Sequence, residues 1–224
     1  MRIYALLFII NLSGSIAAAQ EVRLNLYGNY VFDDQVDAYV DPYNYFKGTI
    51  QGGLQWGGSI EYHVHDFGIE LLYLRQDTEV PVQFYDAGTL GEKQNKLDLG
   101  INWIMVGGTR SVLPDDKLEP LAGFMMGIAI IEGKNPETQT SATATKFAWG
   151  MRLGVNYWFT HKFALKVQTQ LLSATQAAGG SLYFSTGGTS AGVTAYSSML
   201  QFTLGGGLVF KLRSDGPAKS NTQK

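Results

Sequence analysis

The sequence predicts an all-β chain. It reads as a closed eight-stranded antiparallel up-and-down transmembrane β-barrel that follows a cleaved signal peptide. Three observations predict this. The first is strict alternation in FAWGMRLGVNYWFTHKFALKVQTQLLSA, residues 147–174. Phe147, Trp149, Met151, Leu153, Val155 and Tyr157 share one face; Ala148, Gly150, Arg152, Gly154 and Asn156 share the other. After a polar turn at Thr160, His161 and Lys162 the pattern resumes. Phe163, Leu165, Val167, Thr169 and Leu171 then oppose Ala164, Lys166, Gln168 and Gln170. Period two is the strand period, so this is a hairpin.

The second observation is which face is large. The apolar face is aromatic and aliphatic, whereas the opposite face is Gly, Ala, amides and charges. Small and polar inside with large and apolar outside is the requirement of a barrel in lipid. There every backbone donor and acceptor must be paired within the wall. The third observation is the leader, MRIYALLFIINLSGSIAAAQ. Arg2, an apolar run over 3–12 and Ala17-Ala18-Ala19 form a secretory signal over 1–19. The barrel then occupies 20–213, and 214–224 reads as a polar periplasmic tail.

The first strand is expected over 22–32, with Leu24, Leu26, Tyr30 and Phe32 outward and Arg23, Asn25, Tyr27 and Asn29 inward. Residues 33–47 read as a loop with four Asp, three Tyr and Pro42. The second strand, 49–63, puts Leu54, Trp56, Ile60 and Tyr62 outward and Gln55, Ser59, Glu61 and His63 inward. The third, 67–76, puts Phe67, Ile69, Leu71 and Tyr73 outward over Gly68, Glu70, Leu72 and Leu74. Residues 77–96 read as a long loop. In the fourth strand, 97–106, the more apolar set of Leu97, Leu99, Ile101, Trp103 and Met105 is expected outward. Asp98, Gly100, Asn102 and Ile104 are expected inward.

The fifth strand, 118–131, contains an unbroken apolar run. A membrane helix with Gly123-x-x-x-Gly127 is the competing reading, but the run is too short to span as a helix. As a strand it carries Glu119 on its inner face and Phe124, Met126 and Ile128 on its outer one. A Thr-rich loop over 132–145 leads into the hairpin that forms strands six and seven. A Gly/Ser/Thr-rich loop over 173–197 leads to strand eight, 198–212, where Phe202, Leu204, Leu208 and Phe210 oppose Gln201, Thr203, Val209 and Lys211.

The links alternate long and short. Four long ones fall on one side and three short ones on the other, as in outer-membrane barrels with exterior loops and periplasmic turns. Both termini are then periplasmic. Aromatic residues bear on the same orientation. Tyr30, Phe32, Tyr73, Phe147, Trp149 and Phe202 fall near the exterior ends, and Tyr62, Phe67, Trp103, Tyr157, Phe163 and Phe210 near the periplasmic ends. Two girdles with an aliphatic band between them mark the two membrane interfaces.

Composition narrows the function. Of 17 basic and 19 acidic residues the leader removes one Arg, so the mature charge is −3 and gives no basic excess for nucleic acid. The chain has no cysteine, hence no disulfide framework and no thiolate metal site. With 27 Gly, 12 Tyr, 12 Phe and 4 Trp it suits a twisted sheet with aromatic belts.

The segments GVNYWFTHKFALKVQTQLL, residues 154–172, and FTLGGGLVFKL, residues 202–212, resemble the small eight-stranded outer-membrane barrels. That family includes the OmpA membrane domain and OmpX, and the outer membrane β-barrel domain proteins common in Bacteroidota. The resemblance covers the mature chain. It implies outer-membrane lipid and the barrel-assembly machinery as partners.

An interior of this size is one that side chains just fill. Arg23, Arg152, Lys166 and Lys211 balance Glu61, Glu70, Asp98 and Glu119 there, which favours a hydrogen-bonded charge plug over a gated ion path. His63 and His65 share a face, but no third metal ligand is evident. Lipid A-modifying enzymes of this fold carry a His near the exterior rim. His63, His65 and His161 all fall at periplasmic turns, against an enzyme. The tyrosine-rich 33–47 loop is a surface at which an extracellular ligand could dock. The expected function is thus structural or surface-interacting, with no cofactor. A small solute or ion porin is the alternative, and a soluble lipocalin-like binder with every face inverted is a further one.

Overall fold

The computed structural model describes residues 21–41, 44–64, 66–86, 91–111, 117–135, 141–175 and 199–213. The leader, the tail and most of the 173–197 loop therefore lie outside the described residues. Ten strands form one antiparallel sheet: β1 (Glu21–Val31), β2 (Asp34–Asp41), β3 (Asn44–Ile50), β4 (Gly53–Val64), β5 (Phe67–Asp86), β6 (Gly91–Ser111), β7 (Leu118–Lys134), β8 (Ser141–Thr160), β9 (Phe163–Thr175) and β10 (Met199–Arg213). Around the ring the order is β5-β4-β1-β10-β9-β8-β7-β6, and β6 pairs back onto β5. That closes an eight-stranded barrel. β2 and β3 form a hairpin whose backbone ladder to the wall is Lys47 and Gly48 paired with Gln83 and Val82, and Asp34 accepts a further hydrogen bond from the Leu200 N–H of β10.

The pairing fixes the geometry of the cylinder. Ile101 is opposite Gln76, which is opposite Gln55; the register then passes through Asn29, Gly205, Gln168, Gly154 and Leu121. It returns to β6 at Ser111, so one circuit advances ten residues. With a rise of about 3.3 Å per residue and strands about 4.8 Å apart, that stagger tilts the strands by roughly 40°.

The outer wall is apolar. Leu54, Ile60, Leu71, Leu153, Val167, Leu204 and their neighbours are exposed along an aliphatic band. On β8 the band runs from Phe147 to Tyr157, roughly 25 Å along the axis at this tilt, the height of an apolar belt on an outer-membrane barrel. At one rim Tyr30, Phe32 and Phe202 pack together. At the other Tyr157, Phe159, Phe163 and Phe210 do the same. Phe159, exposed, and Trp158, buried, carry the alternation of β8 one step beyond Tyr157.

One strand is turned over relative to expectation. In β6, Leu99, Ile101, Trp103 and Met105 are buried in the lumen, whereas Asp98, Ile104 and Val106 are exposed. Trp103 is thus not a girdle residue, and Asp98 is not part of the lumen charges. Register is the cause: Met105 is opposite Leu72 and Trp103 is opposite Leu74, and cross-strand partners share a face. Space is the complement. The next strand presents Gly123, Gly127 and Ala129 to the same interior, small enough to admit a Trp and a Met beside them.

Three expected loops are largely strand. The 33–47 loop contains β2 and most of β3. The 77–96 loop is the outer half of the β5/β6 hairpin, paired as far as Asp86 and Gly91. Much of the 132–145 loop is the paired end of β7 and β8, Lys134 opposite Ser141. The apolar run of residues 121–131 is strand, with Phe124, Met126 and Ile128 exposed and Leu121, Met125, Ala129 and Ile131 buried.

Candidate functional site

The polar and charged side chains that face inward are the chemistry-bearing feature of this fold. They are stacked by the alternation of each strand and by the stagger of the wall. At the end where β1 begins, β10 ends and the β8–β9 turn lies, Glu119 of β7 is fully buried. Arg23 Nη1 donates to its Oε1 at 2.8 Å, Trp158 Nε1 donates to its Oε2 at 2.7 Å, and Asn156 donates at 3.3 Å. Arg23 also contacts Glu21. Lys211 Nζ lies 2.9 Å from the other Glu21 oxygen. Two cations lie over the Trp158 ring, Arg23 at 5.2 Å and Lys211 at 4.1 Å from its centroid.

One layer up, Arg152 of β8 and Glu70 of β5 meet at 2.8 Å. Tyr27 donates its hydroxyl to Glu70 at 2.7 Å and accepts from Arg152 at 2.9 Å and from Lys166 at 3.3 Å. Lys166 also donates to Asn25, which donates to Ser59 and Glu61. His63 Nε2 lies 2.8 Å from Glu61 Oε1. Gly68, opposite His63, leaves the ring its place, since a Cβ there would fall 2.6 Å from that nitrogen and the ring would have to shift. Burying this many charges costs several kcal/mol per ion unless each is paired and hydrogen-bonded, and here each carboxylate has a cation or His beside it.

Toward the other end the lumen changes character. Gln55, Gln76, Gln168, Gln170 and Gln201 are buried, with Gln201 donating to Gln76 at 2.9 Å, Asn29 to Gln55 and Gln168 to Asn29. Both amide atoms of Gln170, Nε2 of Gln55 and of Gln76, and Oε1 of Gln201 have no protein partner. Beyond and beside them Leu72, Leu74, Ile101, Trp103, Leu172 and Met199 form an apolar core with Ile50 and Val80.

Of the eight charged residues expected inside, the structure brings seven into these two layers: Arg23, Glu61, Glu70, Glu119, Arg152, Lys166 and, at the rim, Lys211. Asp98 lies on the outer surface. Sequence reasoning missed Tyr27, Asn25 and Trp158 as the groups that join the charges. Tyr27 was legible as inward-facing, but which carboxylate it meets depends on β4 and β5 lying beside β1. Among the histidines, His63 is buried at the turn end and His161 is exposed in the β8–β9 turn; His65 lies outside the described residues. Among the described residues no group of three or more His, Cys, Asp or Glu is arranged to hold a metal ion.

No protein-family model and no curated protein sequence matches the chain. Solved structures match it in fold. Neisserial surface protein A, NspA, is 12% identical with a TM-score of 0.52, over 85% of this chain and 96% of that one. AlkL, solved by solid-state NMR in lipid bilayers, is 13% identical with a TM-score of 0.51, over 88% and 93%. The N-terminal β-barrel domain of Pseudomonas aeruginosa OprF is 14% identical with a TM-score of 0.49, over 85% and 96%. The fold is that of the small eight-stranded outer-membrane barrels.

Proposed function

We propose that the chain is a non-enzymatic integral outer-membrane protein. Its wall sits in the bilayer, its termini and short turns face the periplasm, and its longer β-extensions face out as an interaction surface. The lumen is sealed by its own charges. The observation that carries this reading is the contrast between the two faces of the wall: an exposed aliphatic band outside and the buried Arg152–Glu70–Tyr27–Lys166 network inside. A soluble barrel with the faces inverted would place these ions in water and the band inside. The positions of His63 and His161 at the turn end support the absence of lipid A chemistry at the exterior rim. Assembly machinery and outer-membrane lipid are its partners under this reading, and the 214–224 tail lies in the periplasm.

One observation favours a second reading, a narrow pore for small polar solutes. The glutamine belt offers amide donors and acceptors with no protein partner, a surface on which such a solute could be handed along. Two measurements on the refolded protein test both readings. Heat-modifiable migration on a gel reports closure, with a fast band that shifts on boiling. Planar-bilayer recording reports the lumen. The sealed reading expects a shifting band and no steady conductance. Stable conductance steps would move the function to transport, and a protein that stays soluble without detergent would overturn the membrane reading.

A further inference from the structure

The glutamine belt holds polar atoms that the wall does not satisfy. Gln55, Gln76, Gln168, Gln170, Gln201 and Thr203 are each no more than 2% exposed. They come from β4, β5, β9 and β10. Gln201 of β10 donates to Gln76 of β5 at 2.9 Å, past the two strands that separate them in the ring, so these groups meet inside the bore. Seven of their atoms have no hydrogen-bond partner among the described residues: Nε2 of Gln55 and of Gln76, Oε1 of Gln168 and of Gln201, the Thr203 hydroxyl, and both amide atoms of Gln170. Each carries a desolvation penalty that a bound partner would remove.

Charge excludes most occupants. The free groups include donors and acceptors, so an ion of either sign would meet only half of them and bring an unpaired charge into a buried site. The nearby charges do not supply a counter-ion. Arg152 and Glu70 hold each other, Lys166 donates to Asn25 and Tyr27, and Glu61 has His63. A hydrocarbon would meet none of the free groups. The occupant is therefore neutral and carries both a donor and an acceptor. Gln170 narrows it further, because its donor and its acceptor are free side by side on one planar group. Their full complement is a second planar group with the same pair reversed, joined by two parallel hydrogen bonds as glutamine joins an adenine edge. A hydroxyl meets one of the two at a time. Gln168, two residues away on β9, has Gly205 and Gly154 as its partners on both sides, so no side chain stands beside it in its row. In an interior that side chains nearly fill, the occupant has only a few heavy atoms.

We propose that the glutamine belt is a binding chamber for a small neutral molecule with a carboxamide or ureido group, held edge to edge by Gln170. The proposal names the ligand class for the amide surface of the second reading above. It requires the closed barrel, whether or not that barrel conducts. The test is NMR of the barrel labelled with 15N at its glutamine side chains and refolded in micelles with increasing acetamide. The expected result is a saturating shift of the Gln170 amide signals, half complete at about 1–30 mM, the range open to a molecule this small. Acetate, of the same shape but charged, and glycerol, neutral but without the planar pair, are expected to leave those signals in place. Gln170→Met, of similar volume, is expected to keep the barrel closed, since it removes no hydrogen bond within the protein, and to weaken the response at Gln168 and Gln201 about tenfold. Gln170→Asn, which withdraws the amide by one methylene, is expected to weaken it likewise. No saturating shift, which would leave water as the belt's only partner, overturns the chamber. So does an equal response to acetate or glycerol, or one that survives both substitutions. The boiling shift on a gel is read first. A chain without it overturns the closed barrel and the chamber together, whereas a shifting barrel with no saturating response overturns the chamber alone.

Discussion

Arg152 and Glu70 are 82 residues apart in the chain and meet inside the barrel with Nη2 2.8 Å from Oε2. Neither has an equally close counter-ion of the opposite sign to fall back on. Replacing Arg152 by Met leaves Glu70 buried against Tyr27 and is expected to cost about 3–5 kcal/mol of unfolding free energy. Removing both, as Arg152→Met with Glu70→Leu, is expected to restore much of it. Urea unfolding of the refolded barrel measures both variants. A single variant as stable as the parent would mean that the pair holds nothing together.

Glu119 is a different kind of junction, since one carboxylate takes a cation, an indole and an amide. Glu119→Ala is expected to lose about 1–3 kcal/mol, because Trp158 and Asn156 lose their buried acceptor and Arg23 keeps only Glu21 as counter-ion. Glu119→Gln keeps an acceptor for Trp158 and is expected to lose less. The order of the two midpoints in one denaturant series decides it; the reverse order would assign the stabilisation to packing around Trp158 rather than to charge.

The faces of β4 and β6 give an optical prediction. Trp56 is 52% exposed on the outer wall and Trp103 is fully buried in the lumen. In lipids brominated on their acyl chains, a variant that keeps only Trp56 is expected to lose most of its fluorescence. One that keeps only Trp103 is expected to lose little. Strong quenching of Trp103 would turn β6 back over, Asp98 with it.

Leu153 stands at the middle of the apolar band and is 61% exposed. Leu153→Arg is expected to cost about 2–4 kcal/mol of stability in a bilayer, as a cation at the midplane does. Unfolding titrations in lipid vesicles read this directly. An unchanged midpoint would mean that the band does not face hydrocarbon.

The eight wall strands were legible from period two, and in most of them a small or polar face against a large one also gave their sense. The sense of β6 was not legible, because both of its faces are rich in apolar residues: Leu99, Ile101, Trp103 and Met105 on one, Ile104 and Val106 on the other. Period two gives the strand but not its sense. That sense came from Leu72 and Leu74 across the ladder and from the small residues of β7, neither of which a local pattern contains. The outer halves of β5 to β8 were read as loops for a related reason. Past the band the outer face turns polar, as Asp77, Glu79, Asp98 and Lys134 show, and Pro81 and the glycines near the strand ends read as loop, so the contrast that announces a strand is gone while the backbone pairing continues. Within the lumen, charges could be sorted to the inner face from alternation alone, but their partners could not, since Tyr27, Glu70, Arg152 and Lys166 come from four strands.

The ten-residue circuit of the wall has a mechanical consequence. A closed cylinder of fixed strand number has its girth set by that offset, and the offset is quantised. A slip of one residue would turn a whole strand inside out, so the smallest permitted change is two. Such a slip requires an entire seam of backbone bonds to be broken together in a medium that offers no replacement. The wall therefore cannot dilate by degrees. Whatever this molecule does in response to a ligand, a lipid or a voltage must be done by side chains swinging within a bore of constant width, or by the strands that rise above it.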